Sequence, residues 1–162
     1  MSDSTTGKLT HIGDQGNAHM VDVGTKPLTD RRAVAEGWVE LSPTAFSAIT
    51  ERRIEKGDVL AIAQLAGIQG AKRTADLVPL CHPLPIDGVA VRLQAIGGRI
   101  HVLAEVNAHW RTGVEMEALT AVSAAALTVY DMVKAVDKGV RINGIRLLEK
   151  HGGRSGSYTV SD

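Results

Sequence analysis

A single cysteine, Cys81, in a chain of 162 residues excludes an intramolecular disulfide and a zinc site built from cysteines alone, and fits a reducing compartment. Aromatic side chains are scarce as well, at 3% against 44% hydrophobic residues, so the core has to be aliphatic and rich in alanine. Charge of one sign is also missing. Lys plus Arg and Asp plus Glu each number 18, so no overall field draws DNA, RNA or an acidic membrane surface, and any anion site has to be local. Neutral charge and few rings together argue against an RNA-binding module. No uninterrupted run of about 18 apolar residues exists, and the start, MSDSTTGK, lacks the apolar core of a secretory signal. We therefore expect a cytoplasmic protein with neither nucleic acid nor membrane as partner.

The length predicts one domain with a substantial core. Polar residues without periodicity open the chain, so we place a flexible lead-in at 1–8 and a single domain over 9–162. Trp38 to Leu41 alternate apolar and polar, and Ser42 with Pro43 then marks a helix entrance. That helix runs to about Arg53. Lys56, Gly57 and Asp58 make a turn, with Asp58 capping a second helix through Leu60, Ile62, Leu65 and Ile68. Residues 77–85 hold three prolines and cannot form a regular helix.

Period-two alternation then predicts strands around Val89–Gln94 and Ile100–Val106, joined as an antiparallel hairpin through Gly97 and Gly98. A long helix follows. Thr112 and Glu115 have capping-box spacing at its entrance, and Lys138 with Gly139 marks its exit. Strand-like segments at 140–148 and 158–160 flank a glycine-containing loop. Helices packed on one face of an antiparallel sheet make the fold α+β. The alanine-rich long helix suits close packing against another copy, so a homo-oligomer is expected.

The long helix carries ionisable groups beside Thr, Ser and Ala. Asp131 and Lys134 are spaced to share a face, as a surface ion pair or as part of a site. Glu117 points the same way but sits 14 positions earlier, about 21 Å along the axis at about 1.5 Å per residue. One small substrate cannot touch both within a subunit, so they serve a long ligand or two sites at an interface. GIQGAKRT, residues 67–74, fails as a phosphate loop because its second glycine is two places before Lys72. In PLCHP, residues 79–83, prolines stiffen the turn carrying Cys81 and His82. That histidine is either satisfied in its loop or available as acid, base or ligand. The adjacent pair lacks the spacing of a metal site, and no resident cofactor is expected. KHGGRSGSY offers Lys150, Arg154 and free backbone N–H groups as an anion nest, or is a plain flexible loop.

Taken in order, AHMVDV (18–23), KGDV (56–59), AGIQGAKRT (66–74), LVPLCHPL (77–84), TGVEMEALTAVS (112–123), YDMVKAVDK (130–138) and the late GGRSG resemble the cyclic pyranopterin monophosphate synthase family, accessory protein C of molybdenum cofactor biosynthesis. The resemblance runs from about Leu9 to Val160. It implies a ferredoxin-like subunit, a hexamer built as a trimer of dimers, and active sites at the dimer interface. It implies a lyase that converts 3′,8-cyclo-7,8-dihydroguanosine 5′-triphosphate, a purine nucleotide derivative, into cyclic pyranopterin monophosphate and diphosphate. On matching positions, Asp131 resembles the catalytic acid, and Lys134 and Lys56 the general acid/base lysines. Leu80, Cys81 and His82 resemble the loop lining the substrate, and Met116 with Glu117 a second binding segment. Arg31, Lys72, Glu115 and Lys150 fall on further pocket positions. Arg111 and Arg154 stand where lysine is expected, and their roles stay open. A basic lysine needs a depressed pKa, so we expect a second cation, Lys56 or Lys72, to offset the pull of Asp131 on Lys134. The alternatives are a non-catalytic purine nucleotide-binding regulator and a zinc-dependent purine hydrolase using Cys81 and His82.

Overall fold

The computed structural model describes residues 16–154 and 156–161; the lead-in expected at 1–8 lies outside the described residues. The elements run β1 (Thr29–Glu40), α1 (Pro43–Thr50), α2 (Val59–Lys72), α3 (Thr74–Leu77), β2 (Gly88–Ile96), β3 (Arg99–Trp110), α4 (Glu115–Val133), β4 (Arg141–His151) and β5 (Tyr158–Thr159). The sheet order is β2-β3-β1-β4-β5, with every pair antiparallel. With α2 and α4 as the crossovers this is the split β-α-β ferredoxin-like arrangement, an α+β fold.

Local chemistry sets most boundaries. Ser42 Oγ accepts from Ala45 N–H at the entrance of α1, and Asp58 Oδ1 accepts from Ala61 N–H at 3.1 Å at that of α2. Gly97 and Gly98 have φ of 56° and 81°, the pair of positive values that a tight hairpin turn requires. The sheet face under the helices is small and aliphatic: Ala33, Ala35 and Val39 from β1, with Ile100, Val102, Ala104 and Val106 from β3, are fully buried. Ala118, Ala121, Val122 and Ala125 of α4 meet them. The approach is close enough that a Cβ on Gly70 of α2 would lie 2.6 Å from Ala124 Cβ. On α2 the buried face is Val59, Ala63, Gly67, Gly70 and Ala71, while Ile62 and Leu65 are exposed. Helix α4 has the length and hydropathy of a membrane span, yet nine of its residues are buried in the packed layer.

Three expectations need correction. The central strand β1 is 12 residues long, far more than the 38–41 alternation indicated. Its other face is charged: Arg32 pairs with Glu105 at 3.0 Å and Glu149 at 2.6 Å, and Glu36 pairs with His101 and Arg146, each at 2.8 Å. Small residues on one side and ion pairs on the other leave little apolar contrast to read. Second, Thr112 is no cap. The N-cap position of α4 is Val114, without a side-chain bond. Third, α4 stops at Val133 instead of Lys138. Val136 and Asp137 N–H both turn back onto Val133 O. The Asp137 carboxylate then accepts from Ser42 and Gly139 N–H at 2.7 and 2.8 Å, giving the backbone a better partner than another helical turn.

Candidate active site

Two pockets meet at the N-terminal end of α4. One, about 410 Å³, is lined by Val21, Val23, Leu80, Cys81, His82, Met116 and Glu117. The other, about 520 Å³, is lined by Arg31, Arg111, Lys150, Gly153 and Arg154. Lys26, Thr112, Gly113 and Glu115 line both, so the two are halves of one groove.

The second half is strongly cationic in a chain of zero net charge. Arg31, from β1, donates through Nε to Trp110 O at 3.1 Å and through a terminal nitrogen to Arg111 O at 3.3 Å. Gly152 and Gly153, with φ of 97° and 78°, fold onto Asp30 and Arg31, where a Cβ on either would collide. Only glycine admits this approach. The loop is therefore seated on Arg31 at its first two glycines. Arg111 lies over the Trp110 ring, 5.7 Å from its centre, and its Nε is buried with no hydrogen-bond partner among the described residues. Lys26 is half-buried. Lys150 pairs with Glu115 at 3.7 Å. Five cations thus surround one carboxylate, and a buried, unpartnered guanidinium nitrogen calls for an acceptor. The cation cluster as a whole is suited to an anion with several oxygens.

The first half is less polar. The Cys81 thiol is pushed up by burial and by the charge of Glu117, so it stays protonated and is a poor nucleophile. Glu117 is 4% exposed. Burial, with a smaller push from Glu115, raises its carboxyl to about 7, against the pull of its own backbone N–H.

A second constellation sits at the opposite end of α4. Asp131 binds Lys134 Nζ through Oδ1 at 2.6 Å. Lys56, reaching across from the turn before α2, donates to Asp131 Oδ2 at 3.0 Å and to its backbone carbonyl at 2.8 Å. The lysine thereby also satisfies a carbonyl at the end of the helix. Hydrogen bonds from Lys134 and then Lys56 hold the Asp131 carboxyl below its usual range. Asp131 in turn raises Lys134.

Sequence comparison bears on what this pair of constellations serves. A model of the MoaC family matches residues 20–153. The chain belongs to the MoaC family. It is 60% identical to the cyclic pyranopterin monophosphate synthase of Cereibacter sphaeroides, over 94% of this chain and 98% of that protein. It is 58% identical to the synthase of that name from Rhodospirillum rubrum, over 98% and 96%, and 53% identical to that of Brucella ovis, over 97% and 96%. The MoaC chain is thus an enzyme of a lyase family.

The site residues expected from sequence fall into three places. Leu80, Cys81, His82, Glu115, Met116 and Glu117 share the 410 Å³ pocket. Arg31, Lys150 and Glu115 share the cationic half with Arg111 and Arg154. Asp131, Lys134 and Lys56 form the distal cluster. Lys72 joins none of these and instead lines a cavity behind the His82 turn. The expected cationic offset is not found within one chain: Lys56 comes close but binds Asp131, and Lys134 is raised. Lys26 was missed. It follows a short turn closed by Lys26 N–H to Val23 O at 3.0 Å and Gly24 N–H to Asp22 Oδ1 at 2.7 Å, and no periodicity marks such a residue.

Proposed function

We propose that the chain converts (8S)-3′,8-cyclo-7,8-dihydroguanosine 5′-triphosphate into cyclic pyranopterin monophosphate and diphosphate, an early step of molybdenum cofactor biosynthesis. The observation that carries this reading is the two-part groove. Its cationic half, Lys26, Arg31, Arg111, Lys150 and Arg154 around Glu115, suits a triphosphate, and its half under Leu80, Cys81, His82 and Met116 suits the fused ring system. The names of the relatives support the same reaction.

In this reading protons move among ring nitrogen and sugar oxygen atoms. A substrate hydroxyl oxygen then bonds to the α-phosphorus as the bond to the bridging oxygen breaks, and diphosphate leaves with the electron pair. The cations neutralise the charge that gathers on the leaving group. Asp131, Lys134 and Lys56 act as the acid–base group. Glu117 and Asp131 lie about 21 Å apart along one rigid helix, too far for one substrate, so the distal cluster of a second copy completes each groove. The second copy, by bringing further cations or by excluding water, lowers the Lys134 pKa that Asp131 raises within one chain. A hexamer arranged as a trimer of dimers, in the cytoplasm, belongs to the same proposal.

Incubation with the cyclic triphosphate and measurement of diphosphate tests it. The wild type releases diphosphate. Lys134→Ala and Lys56→Ala assemble normally but do not turn over. Binding of the triphosphate without release would favour a regulator over an enzyme.

A further inference from the structure

A third cavity, about 520 Å³, lies behind the His82 turn, against Lys72, Thr74, Ala75 and Asp76 at the α2–α3 junction and Asp87 before β2. His82, Leu84 and Glu117 line this rear cavity and the 410 Å³ pocket alike. These three side chains therefore form the partition between the two spaces. Glu117 is 4% exposed, and no side chain among the described residues donates to its carboxyl. Its own backbone N–H is the donor that reaches it. A buried carboxylate with so little compensation is costly, so a structure that keeps one there spends stability on it.

We infer that Glu117 relays protons between the bound substrate on one side of the partition and solvent in the rear cavity on the other, an inference that rests on the reaction proposed above. The Glu117 carboxyl gives its proton to a substrate nitrogen or oxygen as the bond from that atom to carbon breaks, and the electron pair stays on the heteroatom. The carboxylate then regains a proton from solvent through the rear cavity, so no further reactant is needed. Groups facing it are Glu115 on its own helix, Cys81 and His82 on the turn, Lys72 and Asp76 from the α2–α3 junction, and Asp87. Of these, Asp76 is exposed and paired with Arg73 at 3.5 Å. Burial and the Glu115 charge raise the carboxyl to about 7, where it can both give and take a proton.

Chemical rescue with formate tests the relay. Glu117→Gln and Glu117→Ala should each lower kcat by about 100-fold or more with little change in KM. Formate should restore Glu117→Ala by about tenfold or more and leave Glu117→Gln unchanged. Adding Ala75→Phe, or the milder Ala75→Leu, to Glu117→Ala fills the rear cavity and should abolish the rescue, with circular dichroism and the thermal midpoint confirming that the protein is folded. Wild-type kcat in Glu117→Gln, absence of rescue, or full rescue in a folded double variant would overturn the relay. A second readout needs no turnover. The carboxyl stretch of Glu117, isolated by subtracting the infrared spectrum of Glu117→Gln, should fade as pH passes about 7 and shift on transfer to deuterium oxide more slowly with Ala75→Phe than without it. An equal rate would count against the relay, whereas a wild type that releases no diphosphate would count against the reaction alone.

Discussion

Replacing Glu117 by Gln should make the protein more stable at alkaline pH while removing its activity. The carboxyl is held at about 7, above the ordinary 4.5, mainly by burial. Between those values the unfolded chain has released the proton and the folded chain has kept it, so stability falls as pH rises through the window and levels off above about 7. The gap corresponds to about 3 kcal/mol at full strength. Both adjoining cavities open to solvent, so screening discounts this to about 1–2 kcal/mol. Gln keeps the shape and never ionises, so it removes this cost at pH 8 and changes little near pH 5, where Glu117 is neutral as well. For a chain of this size that is a rise in Tm of about 3–6 °C at pH 8. Thermal unfolding of both proteins at one fixed concentration, at the two pH values, measures it. Equal or lower stability of Glu117→Gln at pH 8, or a gain of the same size at both, would refute the reasoning.

Gly152→Ala should destabilise the protein by about 1–3 kcal/mol, because alanine is strained at φ 97° and its Cβ would collide with the Asp30 carbonyl. Chemical denaturation reads that loss, and a raised KM for the triphosphate accompanies it as Arg31 and Arg154 shift. Arg111→Gln should weaken binding of inorganic diphosphate by about 10- to 100-fold, the worth of one hydrogen-bonded charge, as measured by calorimetry at fixed salt.

The entrances of α1 and α2 and the β2–β3 hairpin were legible because their signals are local. Ser42–Pro43, Asp58 and Gly97–Gly98 each act within a few residues and behave as read. Strand β1 was not, because it lies at the centre of the sheet under a tightly packed α4. There it needs Ala33, Ala35 and Gly37 where an ordinary strand shows Val or Ile; a Cβ on Gly37 would sit 2.7 Å from Val122 Cγ1. The end of α4 was misread because Asp137 reaches back to Ser42, 95 positions away, and no local pattern carries that.

In the site, the gathering of Glu115 and Glu117 with the His82 turn was expected from the family resemblance, and the shared pocket agrees with it. The partition was invisible, since it depends on α3 and β2 packing behind Glu117. Lys26 and the buried Nε of Arg111 emerge only from the groove itself. The separation of Glu117 from Asp131 was readable from helix pitch alone, and it is the reason the proposed reaction draws the distal cluster from a second copy.

Subunit mixing tests that claim most directly. Glu117→Gln removes the groove half and Lys134→Ala the distal half, and each variant alone should be inactive. Unfolded together in equal amounts and refolded, they should form mixed dimers in which one of two grooves has both halves intact, recovering about a quarter of wild-type diphosphate release. A mixture as inactive as its parents, with subunit exchange verified by mass, would mean that each chain carries its whole site and would contradict the account.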